Sequence, residues 1–207
     1  STTNQAQTGT IAIGHDALTA LTNGAGNVAL GYGALKENIN GGQNIAIGYG
    51  AMDGSGGSNP STSDHNTFIG TDSGGGDWSA GADLDNEYNV AIGNYTMSAN
   101  LAGADNNTVV GYNSGPAITS GDSNTILGAV SATALTTGTD NIFIGKGAGD
   151  ATVDVDRATV VGRAACQSNM TSDADGTVAI CYAAGASITS AVGSVAIGYQ
   201  ALDAEDD

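Results

Sequence analysis

Apolar residues recur along this chain in a four-residue phrase that appears eleven times. The first residue is β-branched, the third is Ile, Leu or Val, and the fourth is Gly except at Cys181. Successive phrases start 17 to 23 residues apart, and six of the ten intervals are 17. A fixed period of this length predicts stacked copies of one small unit, which is a solenoid. The phrases are IAIG 11–14, VALG 28–31, IAIG 45–48, TFIG 67–70, VAIG 90–93, TVVG 108–111, TILG 125–128, IFIG 142–145, TVVG 159–162, VAIC 178–181 and VAIG 195–198.

Each phrase predicts a short strand that is apolar on both faces. The first and third residues share one face, and the second residue points to the other. That second residue is Ala in six units and Phe, Val or Ile in the rest, so it is never polar. A strand of this kind is buried on both faces. A coil of 17 residues is too thin to cover both, so we expect the second face to contact an identical chain.

Other positions of the unit are also restricted. The residue three places after the glycine is always small, and the glycine itself predicts a bend that needs positive φ or close backbone approach. ALTNG 20–24, AITSG 117–121, ALTTG 134–138 and SITSA 187–191 predict a weaker second strand in each coil. Asn precedes the phrase in seven units and predicts stacked amides along the solenoid. These residues are Asn27, Asn44, Asn66, Asn89, Asn107, Asn124 and Asn141.

The predicted fold is therefore all-β, a parallel β-roll or β-helix of about eleven rungs of about 17 residues. Residues 10–202 form one solenoid domain, with insertions at 54–65 and 72–88. Residues 1–9 are an N-terminal arm and 203–207 an acidic tail. No segment keeps a helical period, so helices are not expected. Eleven rungs at about 4.8 Å give a rod of roughly 50 Å.

Charge excludes several classes of partner. The chain has 4 basic and 21 acidic residues, for a net charge of −17. Nucleic acid and anionic membranes are poor partners, because binding them needs Lys and Arg. No stretch approaches the roughly 18 apolar residues of a membrane span. Cys166 and Cys181 lie in different columns of the repeat, so we expect two free, structural thiols and no bridge.

The repeat resembles known fibrous families. NVALGYGAL at 27–35 and NIAIGYGAM at 44–52 resemble repeats common in bacteriophage tail-fibre proteins. They are also similar to the β-roll heads of trimeric autotransporter adhesins, whose coils are shorter. This resemblance implies a homotrimer around a shared axis.

Two functions are compatible with a trimeric rod. The first is a structural virion protein of a bacteriophage, either a fibre segment or a capsid-decorating protein. Its partners are other copies, other virion proteins or a host surface glycan. The alternative is a bacterial adhesin head at the cell surface that binds host or matrix ligands; an ice-binding solenoid is weaker, because no regular Thr ladder is present. Catalysis is not expected, because His15 and His65 lie outside any nucleophile motif, and no cofactor is implied.

One candidate contact surface is the column directly after the glycine, where Tyr occurs five times. An aromatic stripe is typical of sites that contact glycans or proteins. The structural alternative is that the rings pack over glycine corners or between protomers. The column comprises Tyr32, Tyr49, Tyr112, Tyr182 and Tyr199, with His15, Thr71, Asn94, Ala129, Lys146 and Arg163 in the other units.

The two insertions are the second candidate surface. They fall in consecutive intervals and predict one bulge, with an exposed Trp78 as its anchor for a virion protein or a glycan. A structural clasp between protomers is the alternative. Carboxylates in these loops and in SDADG at 172–176 are oxygen ligands that suit Ca²⁺. The other binding candidates of the bulge are Asp77, Asp83, Asp85 and Tyr88, and Glu87 beside them supplies a further carboxylate.

Overall fold

A computed structural model describes residues 8–55, 63–78, 85–190 and 192–203 as an all-β solenoid. Its eleven strands form one parallel sheet in sequence order. Each strand is the first three residues of one phrase, which confirms the predicted fold class. Among the described residues helix is almost absent, and the short 3-10 helix Ser172–Ala174 is the one defined in full. The strands are β1 Ile11–Ile13, β2 Val28–Leu30, β3 Ile45–Ile47, β4 Thr67–Ile69, β5 Val90–Ile92, β6 Thr108–Val110, β7 Thr125–Leu127, β8 Ile142–Ile144, β9 Thr159–Val161, β10 Val178–Ile180 and β11 Val195–Ile197.

The register between strands keeps every phrase aligned with the next. Ile126 lies beside Phe143 across a 17-residue interval, and Phe68 lies beside Ala91 across a 23-residue interval. The extra residues of the long intervals therefore leave the sheet undisturbed. Each column of the sequence repeat is a physical column along the solenoid.

The glycine after each strand makes the predicted bend. The glycines of this column have φ between 129° and 149°, a region that L side chains rarely adopt. A Cβ at Gly111 would overlap the backbone carbonyl of Gly128 in the next rung. Positive φ and close backbone approach are thus both present. Cys181 occupies the same column with φ 119°.

The predicted second strand is wrong. The return segments lie between turns, although they are still hydrogen-bonded from rung to rung. Thr119 N donates to Thr136 O at 2.9 Å, and Thr136 N donates to Val153 O at 2.8 Å. Left-handed residues two and four places after the glycine, such as Tyr95 and Met97, turn the chain before each return segment. Repeated turns leave no room for an extended stretch.

Side chains that complement each other in size fill the interior of each coil. The middle residue of each strand is buried in every strand except β1. Where it is Ala46, the residue four places after the glycine is Met52, and both are fully buried. Where the middle residue is Phe143, the residue four places after the glycine is Gly149, because a Cβ at position 149 would overlap the Phe143 ring. Most coils thus combine a large residue with a small one at these two positions, although the coil of β10 has Ala179 with Gly185.

The predicted asparagine ladder is present and runs from Asn27 to Asn141. All seven side chains are fully buried. In a typical rung, Asn107 Nδ2 donates to Asn89 Oδ1 at 3.1 Å and to Gly121 O at 2.8 Å. Its Oδ1 accepts hydrogen bonds from the backbone N and the Nδ2 of Asn124, both at 3.0 Å. The ladder ends at Asn141, whose Oδ1 accepts a hydrogen bond from Ala158 N at 2.9 Å.

Candidate functional site: the outer face of the sheet

The first and third residues of every strand form a largely apolar face on the outside of the coil, with Thr as the first residue in four strands. We call it the outer face. None of these residues is buried in any of the eleven strands. Ile13 is 59% exposed and Leu127 47%, whereas Ile126, between the outer residues of β7, is fully buried. The strands are therefore buried on one face within this chain and open on the other.

The size of the outer face is unusual for a single chain. Eleven strands at about 4.8 Å make it about 50 Å long, and its two columns of side chains make it about 15 Å wide. The resulting patch of roughly 700 Å² exceeds the largest apolar patch of a typical monomer, about 300–600 Å². It is close to the roughly 800 Å² that each partner contributes to a standard protein interface. A surface of this kind is typical of an association site.

The predicted aromatic column lies along one margin of the outer face and is exposed. His15 stacks on Tyr32 and Tyr32 on Tyr49, each with ring centroids 5.1 Å apart and planes within 9°. Tyr182 stacks on Tyr199 at 5.3 Å, and the Arg163 guanidinium lies over the Tyr182 ring at 5.8 Å.

Stacking limits what these rings can bind. Tyr32 has a ring against each of its faces, from His15 and Tyr49, whereas Tyr49 and Tyr199 each have one stacked ring neighbour. The edges and hydroxyls remain open, so the column offers hydrogen bonds and narrow apolar contacts. Tyr112 differs, because its ring meets Tyr95 edge to face at 6.1 Å.

The prediction of an exposed Trp78 is wrong. Trp78 is 1% exposed and packs against Phe68, with ring centroids 5.7 Å apart. It lies eight places after its glycine, and Leu101 holds the same position in the next rung. Trp78 is therefore a core residue and cannot be the surface anchor of a bulge.

The other candidates of the insertions are not gathered into one site. Asp77 and Asp85 are exposed, and Asp77 N donates to Asn100 Oδ1 at 3.0 Å. Tyr88 is exposed and stacks on His65 at 4.9 Å. Asp83 and the tips of both insertions, 56–62 and 79–84, lie outside the described residues.

A second polar column, which the sequence analysis missed, borders the opposite margin of the outer face. It lies six places before the glycine, and we call it the carboxylate column. Its carboxylates accept hydrogen bonds from the backbone of the preceding rung, as Asp122 does from Asp105 N at 2.8 Å. Counting back from the glycines would have revealed it. Its members are Asp64, Glu87, Asp105, Asp122, Asp156 and Asp175.

Charge accumulates in this column. Burial raises the pKa of Glu87, and the nearby charges of Asp105 and Asp64 raise it further. Asp175 is neutralised in part, since its Oδ2 pairs with Arg157 at 3.1 Å while its Oδ1 accepts from Asp156 N at 2.8 Å. Both carboxylate oxygens of Asp175 are thus engaged within the chain.

Metal and thiol chemistry have little support in the described part of the chain. No group of three His, Cys, Asp or Glu side chains that could hold a metal ion occurs there. The two cysteines are unbridged, as predicted. Burial raises the pKa of the Cys166 thiol to about 12, so it stays protonated at neutral pH. Cys166 is buried, as suits a structural thiol, whereas Cys181 is exposed.

Comparison with known proteins gives no relative for this chain. No protein-family model, no curated protein and no solved structure matches it. Within the described ranges, no helix is long and apolar enough to span a bilayer.

Proposed function

We propose that this chain is a rigid rod that associates with copies of itself through the outer face and serves a structural role. The observation that supports this most directly is the open apolar face of a strand whose other face is fully packed. Leu127 and Ile92, both on the outer face, are 47% and 38% exposed in a single chain. Covering such side chains stabilises an assembly by about 25 cal/mol for each Å² removed from water.

A trimer is the assembly that the resemblance of the repeats implies. Three outer faces around one axis would enclose an apolar core, with the aromatic and carboxylate columns at its margins. An apolar centre with a polar rim is the usual anatomy of a stable interface. The proposed place of such a rod is a bacteriophage particle, as a fibre segment or a capsid-decorating protein.

The association can be tested with charged substitutions on the outer face. We expect the unmodified chain to sediment as an oligomer, and Ile92→Glu with Leu127→Glu to sediment as a monomer of 20.2 kDa. The reason is that each glutamate would be buried without a partner. Thr137→Glu, at an exposed site on a return segment, is the matched control and should stay oligomeric. An unmodified chain that is monomeric at high micromolar concentration would refute the proposal.

The second candidate function is a bacterial adhesin head, and the exposed aromatic column is the observation that favours it. Antibodies raised against the chain would separate the two locations. Gold labelling of phage particles purified from a producing culture supports the virion role. Labelling of the bacterial surface without labelled particles supports the adhesin role instead. Neighbouring genes for capsid and tail proteins, or for a secretion apparatus, would give an independent test.

A further inference from the structure

We infer that the copies lie parallel and level, with the carboxylate margin of one chain against the aromatic margin of the next. This inference rests on the proposed association through the outer face and specifies how it is made. It commits the outer face to one occupant, a second copy of this chain. The reasons are the charge and size of the residues at the two margins.

The two margins lie far apart within one chain. The aromatic column comes directly after the glycine. Five places before the glycine, next to the carboxylate column, each unit has a left-handed residue, and we call this position the corner column. Five residues, including the three of the strand and the glycine that makes the bend, separate the corner and aromatic columns, so the two columns lie up to about 20 Å apart. His65 and Tyr88 stack within the corner column, and Tyr32 and Tyr49 within the aromatic column. The rings therefore pair along the columns and not across the face.

The margins differ in charge. The aromatic column contains no carboxylate in any of its eleven positions and holds Lys146 and Arg163, two of the four bases of the chain. The other margin carries the six acids of the carboxylate column, together with the exposed Asp140. Arg157 is the basic residue on that margin, and it already pairs with Asp175. In charge, each margin therefore complements the other margin and does not complement a second copy of itself.

The margins also complement each other in size in six of the eleven rungs, whereas the rungs of Tyr49, Tyr112 and Ala129 do not follow this pattern. Four rungs have glycine in the corner column, and all four have a ring in the aromatic column. The two rungs with a ring in the corner column, at His65 and Tyr88, have Thr71 and Asn94 in the aromatic column. Because the columns are too far apart to touch within one chain, this compensation has meaning only between chains. The four rungs pair Gly9 with His15, Gly26 with Tyr32, Gly176 with Tyr182 and Gly193 with Tyr199.

Symmetry then selects the arrangement. An axis parallel to the rod keeps equal rungs level and brings the carboxylate margin of one chain to the aromatic margin of its neighbour. A two-fold axis perpendicular to the rod would instead bring each margin against itself. That would oppose the two rows of carboxylates, and like charges face to face are destabilising. The parallel arrangement places Lys146 of one chain beside Asp140 of the next.

Cross-linking distinguishes the two arrangements. The test uses the whole chain with Cys181→Gly, which removes the exposed thiol and restores the usual residue of that column. We expect Lys146→Cys with Asp140→Cys to be linked between chains by a short bismaleimide and to run as a multi-chain species on a denaturing gel. Each single substitution should give only monomer. Circular dichroism and sedimentation confirm beforehand that each variant is folded and oligomeric.

The Tyr112→Cys variant tests the antiparallel arrangement. Tyr112 lies on the sixth of the eleven rungs, so an antiparallel pair places it against its own copy. Linked dimers of Tyr112→Cys, or an oligomer that is not linked through 140 and 146, would overturn the inference. In either case the sedimentation result for the outer-face variants still decides the proposed association separately.

Discussion

The two faces of the same strands are filled in different ways. Inside the coil, the middle residue of most strands is matched in size by a residue of its own rung, as Ala46 is by Met52 and Phe143 by Gly149. On the outer face, Ile13 and Leu127 are left about half exposed by the described part of the chain. Size is therefore compensated within a rung on one side and left open on the other.

This difference separates folding from assembly. The interior is closely packed within one chain and the amides of the asparagine ladder are hydrogen-bonded there, so the interior specifies the solenoid. The outer face is only partly covered within one chain, so much of its apolar area is stabilising only when another surface covers it. A change on the inner face should therefore affect folding, and a change on the outer face should affect association.

The largest expected effect is at the pair of Phe143 and Gly149. Phe143→Ala leaves a cavity in a fully packed coil and should lower the free energy of unfolding by about 3–5 kcal/mol. Adding Gly149→Met should restore more than half of that loss, because Met52 fills the same position opposite Ala46 with a similar left-handed φ of 50°. Urea denaturation of the three proteins measures both effects.

The single variant Gly149→Met provides the control for this exchange. With Phe143 present, the new side chain overlaps the ring and should destabilise the protein. In the Phe143→Ala background, the same substitution should instead be stabilising, because the cavity admits the new side chain. A double variant no more stable than Phe143→Ala would contradict compensation within the rung.

The second prediction concerns the buried amides of the interior. Asn107→Ala leaves Gly121 O and Asn124 N without partners and should cost about 2–4 kcal/mol of unfolding free energy. Asn141→Ala should cost less, because the next rung has Ala158 at the ladder position. The Asn141 Oδ1 therefore accepts one hydrogen bond, whereas the Asn107 Oδ1 accepts two. Equal losses at the two positions, measured in urea, would show that the ladder is not cooperative along the rod.

Most of the inner face could be predicted from the sequence. The β-branched residue, the apolar pair and the glycine recur in phase, so strand positions, the glycine bend and the asparagine ladder followed from counting. The compensation between Phe143 and Gly149 was present in the same columns and was missed, since each column was considered alone. The carboxylate column was missed because Glu87 and Asp175 were treated as parts of loops, and Asp105, Asp122 and Asp156 were not compared across the units.

Two errors have a common cause. Trp78 lies in a segment rich in Gly, Asp and Ser, which indicated an exposed loop, yet its distance from Gly70 places it in the interior. The return segments contain apolar residues such as Ile118, which indicated a strand. Local composition was misleading in both places, because the position within the rung determines burial and backbone shape in a solenoid. Position within the rung does not, however, identify the molecule that covers the outer face.

The smallest expected effect is at Glu87, in the carboxylate column beside the outer face. Burial, followed by the charges of Asp105 and Asp64, raises its pKa above that of an unfolded chain. Its contribution to stability is therefore present below the unfolded pKa of about 4.3 and is lost as pH rises through the folded pKa. Glu87→Gln should raise Tm at pH 7 by no more than about 3 °C and leave it unchanged near pH 3.5. Thermal unfolding at the two pH values tests this, and a lower Tm at pH 7 would show that the charge is stabilised by a partner. If a neighbouring chain covers this margin and dehydrates it further, the gain at pH 7 should grow with protein concentration, which links this column to the assembly of the outer face.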